Sequence, residues 1–390
     1  MAERDRKLKV LHLIETLGSG GAERLLHTNL RHFYADEIES RVVTVFSRGD
    51  YWKAQIADLG VEVKSLECSK FSDIFSGVSR LRRELKGDMP DVIHTHLWTA
   101  NVIGRIAGRL SGVPVISSIH NPEYEPEAST GMSSKKLFAA RQIDKWTARF
   151  GCTRMIAVSN YVRESAHQRI GFRLDKIDVV YNPIDTAEPD PNFDKRSLLA
   201  EIGLPTDAGL ILSVGRVAPQ KGLIYAIRAM KIVAEKMPNV HLVHIGATDN
   251  SDYLKAVQTE IEQSGISRNV HMIGERRNVA DFLQAADIFV FPSLFEGLGI
   301  ALAEAMAAGL PCVASDIRPL DEFVTSGENG VLVPPQNAQA IAEAVIDLLS
   351  SPEKSKRMGA AARETALAMF RPEPAAKRLT EIYRQVVRDK

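Results

Sequence analysis

Two short stretches of this chain carry residues whose types and spacing could do chemistry. In residues 293–309, SLFEGLGIALAEAMAAG, Glu296 and Glu304 stand eight residues apart around a turn in which Gly297 and Gly299 flank Leu298. The apolar run 287–292 before it reads as a buried strand ending at Pro292. Residues 300–308 after it have helix-forming composition, stopped by Gly309 and Pro311. A chain that leaves a strand, turns on glycines and opens a helix points free N–H groups back at the turn, which makes an anion site. Carboxylates accept hydrogen bonds from vicinal hydroxyls, so this segment offers groups for a phosphate and for a sugar. Glu304 lies among Ala301, Ala303, Ala305, Met306, Ala307 and Ala308, where a carboxylate is costly unless something pairs with it. The plain alternative is a glycine turn with two solvated glutamates.

The second stretch is GRVAPQKG, residues 215–222, between a strand at 210–214 and a helix at 223–236. Arg216 and Lys221 on one strand–helix loop could clamp a diphosphate, the guanidinium through its fork and the ammonium as a compact charge. Surface salt bridges are the plain alternative.

Three histidines sit near strand ends. His94 and His96 lie two apart, on one face of the run 91–97, and could be half of a metal site. No carboxylate or cysteine cluster with ligand spacing joins them, so no metal is assigned. His120 ends the run 114–120 and precedes Asn121-Pro122, where a strand leaves its sheet; it is a structural hydrogen-bonder or a site residue. Near the N-terminus, a strand at 9–17 runs into Gly18-Ser19-Gly20-Gly21 and a helix at 22–33, the form of a phosphate-facing turn. The glycines match neither the dinucleotide fingerprint nor a P-loop.

The elements that must position these residues alternate strictly. Strand-like runs at 9–17, 41–46, 61–66, 91–97, 114–120, 154–159 and 177–182 are separated by helical patterns. After a turn-rich linker at 182–191 the alternation restarts at 210–214, 241–245, 270–274, 288–292, 312–315 and 330–334. That pattern predicts two α/β domains, each with a parallel, doubly wound sheet and ligands at the strands' C-terminal ends. Pro372 and Pro374 interrupt the chain before a last helix at 375–388, and no internal repeat is visible.

A length of 390 residues suits two domains, and 45% hydrophobic with 25% charged residues is the composition of a soluble globular protein. Forty-nine basic and 49 acidic residues give no net field to attract nucleic acid. Cys68, Cys152 and Cys312 are far apart in sequence and read as buried free thiols in a reducing compartment. The charged N-terminus lacks an apolar signal region, and no apolar run is long enough to span a membrane, so the expected location is cytoplasmic.

Glu296-Gly297-Leu298-Gly299 with Glu304-Ala305-Met306-Ala307, and Gly215-Arg216 with Lys221-Gly222, resemble the motifs of retaining, nucleotide-sugar-dependent glycosyltransferases of family 4, which have the GT-B fold. Gly20-Gly21-Ala22-Glu23-Arg24 is similar to the family's N-terminal loop, and the resemblance covers nearly the whole chain. It implies two Rossmann-like domains facing across a cleft: 1–185, binding the acceptor and regaining the C-terminal helix 372–390, and 186–371, binding the donor. It implies transfer of a hexose from a nucleoside-diphosphate sugar, UDP-sugar favoured, to a hydroxyl of a carbohydrate, lipid or small-molecule acceptor such as a lipid-linked or cell-envelope glycan. The sugar nucleotide is a co-substrate, no cofactor is implied, and the absence of an Asp-x-Asp motif argues against a catalytic metal.

The resemblance also distributes roles. Arg216 and Lys221 would hold the leaving diphosphate, Glu304 the ribose hydroxyls and Glu296 those of the donor sugar. Gly20, Gly21, Gly297, Leu298 and Gly299 would approach the donor through their backbone, Arg277 would border the base, and His120 would stand beside the reacting sugar. Attack on the leaving group's own face needs no covalent intermediate. Pro183 stands where the family usually has glycine and removes one N–H. The loop 123–132 would shape the acceptor pocket. Residues 133–150 form a candidate amphipathic helix, with Lys135, Lys136, Arg141, Lys145 and Arg149 against Leu137, Phe138, Trp146 and Phe150. It would either lie on an anionic membrane at the cell's inner face or be a domain helix with a snorkelling surface. A nucleotide-sugar epimerase of the same fold and a non-catalytic nucleotide-sugar binding module are the rival readings.

Overall fold

A computed structural model describes residues 6–33, 37–70, 73–125, 133–184, 190–248 and 250–389. Half of the linker and most of the acceptor loop, at 185–189 and 126–132, lie outside the described residues. The chain divides into two compact units, Met1–Ile184 with Phe370–Lys390, and Asp185–Met369.

The first unit holds a seven-stranded sheet: β1 (Leu8–Ile14), β2 (Ile38–Phe46), β3 (Glu62–Cys68), β4 (Val92–His96), β5 (Val115–Ile119), β6 (Arg154–Ala157) and β7 (Ile177–Val179). Its order is β3-β2-β1-β4-β5-β6-β7, and every pairing is parallel. Every residue of β4 and β5 is buried, as a sheet covered on both faces requires. Period-2 alternation sorts the strand residues into two cores. Leu11, Leu13, Val43, Val45 and Ile93 pack with residues of helices Ile74–Gly87 and Trp98–Ser111. Val10, Ile14, Val42 and Val92 pack with residues of helices Gly21–His32 and Pro372–Arg388.

That last helix starts at Pro372, three residues earlier than the prolines suggested. A first-turn proline loses no hydrogen bond, because the first N–H groups of a helix have no intrahelical acceptor. Ala376, Leu379, Ile382, Tyr383 and Val386 bury one face of it in the first unit's core. Arg378 to Asp178 at 2.9 Å and Arg384 to Glu37 at 2.8 Å tie down its polar edge.

The second unit holds six strands: β8 (Gly209–Val214), β9 (Val240–Ile245), β10 (Val270–Met272), β11 (Ile288–Phe291), β12 (Cys312–Ser315) and β13 (Val331–Val333). They are ordered β10-β9-β8-β11-β12-β13, again all parallel. Both sheets therefore reverse direction of winding once, between β1 and β4 and between β8 and β11. Crevices outside the strand C-termini at such switch points are where open α/β sheets bind ligands. The three cysteines are free, and no described helix is long and apolar enough to cross a membrane.

Candidate active site

The second unit's switch point gathers most of the residues singled out from sequence. The loop after β8 is anchored at both shoulders: Gly215 N–H donates to Ile245 O at 2.9 Å and Val217 N–H to Ala247 O at 2.8 Å, with the Val217 side chain buried. A 3-10 turn, Pro219–Lys221, then delivers Lys221. Gly222 closes the loop at φ 61°, where a Cβ would stand 2.1 Å from the Pro292 carbonyl oxygen, so only glycine lets the two loops press together. Leu294 N–H donates to Gln220 O at 2.8 Å, stitching the loop after β11 onto the loop after β8.

The result is an ion pair, Lys221 Nζ to Glu296 Oε1 at 2.6 Å, with side chains 20% and 7% exposed. The Lys221 ammonium also lies 5.8 Å from the Phe291 ring centre. Each charge stabilises the other where water is scarce, and removing one would leave the other poorly compensated. Arg216, on the same loop, is exposed and makes no hydrogen bond or ion pair among the described residues. Beyond Glu296 the turn passes through Gly299 at φ 95°, against Leu320, and opens helix Ile300–Ala307. Leu298 is 2% exposed, so its side chain anchors the turn and only its backbone is left for a ligand. Gly297 and Glu304 are buried as well. Arg277 is exposed, between β10 and helix Val279–Ala285. Ser293, unremarked in sequence, buries an Oγ with no hydrogen-bond partner among the described groups at the end of β11. Its position just before the Glu296 motif was the available signal.

The first unit presents different chemistry. Gly20 caps helix Gly21–His32, and Thr16 Oγ1 donates at 2.9 Å to the buried Glu23 carboxylate beneath this loop. His120 follows β5, and neither ring nitrogen has a hydrogen-bond partner among the described groups. Burial lowers its pKa to about 4, so the ring is neutral at pH 7. It stacks on His96, with ring centres 5.6 Å apart. His94 and His96 do share one face of β4, and His12 joins them from β1 through the register His12–His94. Sequence spacing missed His12 because only strand pairing brings it there. Glu123 was also unremarked on its own account. Burial, reinforced by the charges of Asp144 and Glu15, pushes its carboxyl up to about 8, which makes it a hydrogen-bond donor at neutral pH.

Two family models divide the chain between them: "Glycosyltransferase Family 4" matches residues 19–188 and "Glycosyl transferases group 1" matches 194–365. Alpha-maltose-1-phosphate synthase of Mycolicibacterium smegmatis is 32% identical over 315 residues, which is 76% of this chain and 79% of that enzyme. The chain is a GT-B glycosyltransferase of the family 4 type. Another relative of this glycosyltransferase is the UDP-Gal:alpha-D-GlcNAc-diphosphoundecaprenol alpha-1,3-galactosyltransferase of Escherichia coli, 31% identical over 73% of the chain and 72% of that enzyme. Among solved structures, Anabaena HepE in complex with UDP-glucose superposes with a TM-score of 0.86 over 97% of this chain and all of that one. At 21% identity that likeness is one of fold. Within the glycosyltransferase's second unit, the fold brings Lys221 and Glu296 into contact and places Arg216 on the same loop. Gly20, Gly21 and His120 belong to the first unit.

Proposed function

We propose that this glycosyltransferase moves a hexose from a UDP-sugar to an acceptor hydroxyl with retention of anomeric configuration. The observation that carries the reading is the Lys221–Glu296 pair at the β8/β11 switch point, with Arg216 beside it. Lys221 has three N–H donors, so a diphosphate can take up those that Glu296 does not use. Glu296 then accepts from the donor sugar's hydroxyls and Glu304 from the ribose.

In the transfer step the acceptor oxygen attacks the anomeric carbon on the face that the phosphate leaves. The bond from carbon to phosphate oxygen breaks, the bond to the acceptor oxygen forms, and the acceptor's proton passes to the departing phosphate oxygen. Arg216 and Lys221 stabilise the negative charge that builds on the UDP, a preorganised electrostatic role. The step asks for no cofactor and no divalent metal at the diphosphate. His120, neutral at pH 7, serves as a hydrogen-bonding partner that orients sugar or acceptor.

The acceptor we propose is a lipid-linked or other cell-envelope glycan, met at the inner face of the cytoplasmic membrane. Two observations support it. The Escherichia coli relative is named for a diphosphoundecaprenol acceptor. Helix Ser134–Gly151 exposes Phe138, Trp146 and Phe150 at 61%, 67% and 53%, beside exposed Lys135, Lys136, Lys145 and Arg149. Apolar and cationic groups on one surface suit an anionic bilayer. The test is to incubate the protein with UDP-hexoses and a polyprenyl-diphosphate glycan, following UDP release and the product's anomeric proton by NMR. An α-linked product with stoichiometric UDP supports the reading. A β-linked product, or donor converted without UDP release, overturns it.

A further inference from the structure

Beneath the helix Pro372–Arg388, the first unit carries a cluster that glycosyl transfer does not use. His12 and His94 are register partners on β1 and β4, and His96 follows on the same face of β4. Ring centres are 4.2 Å apart for His94–His96, 5.6 Å for His12–His94 and 6.0 Å for His12–His96. One ligand atom from each residue lies within 4.8 Å of the other two. All three side chains are 1% exposed. His94 is hydrogen-bonded at both nitrogens, to Tyr383 Oη at 2.7 Å and Ser118 Oγ at 2.8 Å. His12 and His96 have no hydrogen-bond partner at either nitrogen among the described groups, which leaves four buried polar atoms unserved, one on each ring lying within reach of the shared centre. Native structures seldom leave such atoms so, and each asks for an explanation.

We propose that His12, His94 and His96 bind a divalent late transition-metal ion, with zinc as the expected occupant. The inference goes beyond the transfer reaction and does not depend on it. Imidazole nitrogens without a carboxylate oxygen suit zinc, copper or nickel and leave magnesium and calcium without their preferred ligands. Three histidines with a fourth position open is an established zinc donor set. Burial holds the pKa of each ring well below 6.5, so the neutral, ligating form is already present. His94 would give one nitrogen to the metal and keep one hydroxyl partner on the other, the kind of outer contact that fixes a ligand ring. Zinc–nitrogen bonds of about 2.0–2.1 Å require nitrogens about 3.3 Å apart, so the rings would swing inward by about 1 Å on binding. Where Ser118 is the partner displaced, the His94–Tyr383 bond that remains would tie the final helix to the metal-bound sheet.

The test uses the untagged full-length chain. It measures metal content after dialysis against metal-free buffer, then titrates Co²⁺ into chelator-treated protein and reads its visible ligand-field bands. The expected result is about one equivalent of zinc retained, tetrahedral Co²⁺ bands saturating at one equivalent, and a lower Tm with chelator. His96→Gln should abolish retention. His271→Gln, at the separate His241–His271 contact of 3.1 Å, should leave it intact. Should His96→Gln fail to fold by circular dichroism, the wild-type Co²⁺ titration decides alone. Wild-type protein that keeps less than about a tenth of an equivalent and gives no Co²⁺ bands overturns the proposal and assigns the four nitrogens to buried water. Retention unchanged in a folded His96→Gln variant overturns it equally.

Discussion

The two sheets place their switch points identically, between their first and fourth strands, yet furnish them with opposite chemistry. At β8/β11 the loops deliver a lysine, a glutamate and an exposed arginine. At β1/β4 the strands deliver imidazoles that burial keeps uncharged. The difference follows from which part of the chain supplies the groups. Loop residues can face water, as Arg216 does, or meet an opposite charge, as Lys221 does at Glu296. Strand residues such as His12 and His94 face a packed layer, where a charged form is expensive. A transfer reaction presents both kinds of demand, a diphosphate that leaves with charge and a hydroxyl that arrives without it. On the proposed function, the diphosphate falls to the charged loops of the second unit and the acceptor hydroxyl to the neutral His120 of the first.

The largest effect that can break this assignment is on turnover. Lys221→Ala should lower kcat by roughly 10²–10³-fold, the scale of losing one preorganised donor, with the fold intact by circular dichroism. Near-normal UDP release from a folded variant would remove the diphosphate clamp. Next in size is Glu304→Gln. It should weaken donor binding by about 10- to 100-fold, the loss of a hydrogen bond to a charged group worth about 1.5–3 kcal/mol, with the acceptor's KM unchanged. An effect confined to the acceptor would place Glu304 elsewhere in the reaction. His120→Gln should lower turnover by up to about tenfold, the scale of losing one neutral hydrogen bond of about 0.5–1.5 kcal/mol, and leave UDP affinity unaltered. If UDP affinity falls as far as turnover does, the division between the units is wrong.

A smaller effect sharpens the contrast inside the second unit. His244 is buried in β9, and burial lowers its pKa from 6.5 to about 4; the nearby Gly215 backbone acts in the opposite sense and offsets only part of this. The folded unit holds the ring neutral, whereas the unfolded chain takes up a proton near pH 6.5. His244 therefore makes its full contribution above pH 6.5, and stability is lost as pH falls from there toward 4. The Tm should drop across that window, and His244→Gln should flatten the slope. Equal slopes in both proteins would show that other groups govern it.

How much of this was legible in the sequence follows the same division. Arg216 with Lys221, and Glu296 with Glu304, each lie within one short segment, where local spacing carries the geometry. The alternation of strands and helices gave two parallel sheets for the same reason. His12 was invisible because its neighbours are chosen by the register of β1 on β4. β1 was set too long because Leu17 is apolar and buried, yet it has left the sheet and donates its N–H to Gly49 O at 3.1 Å. Both units share one winding order although no repeat shows in the residues, since burial fixes apolar character at a position and not its identity.

The most direct measurement is UDP binding, by calorimetry and thermal shift, to the wild-type chain and to the Lys221→Ala and His120→Gln variants. At about 100 times its dissociation constant, UDP should stabilise the wild type by roughly 2.7 kcal/mol. The same shift should persist in His120→Gln and largely vanish in Lys221→Ala. No stabilisation of the wild type, or equal stabilisation of all three proteins, would contradict the assignment of the leaving diphosphate to the second unit.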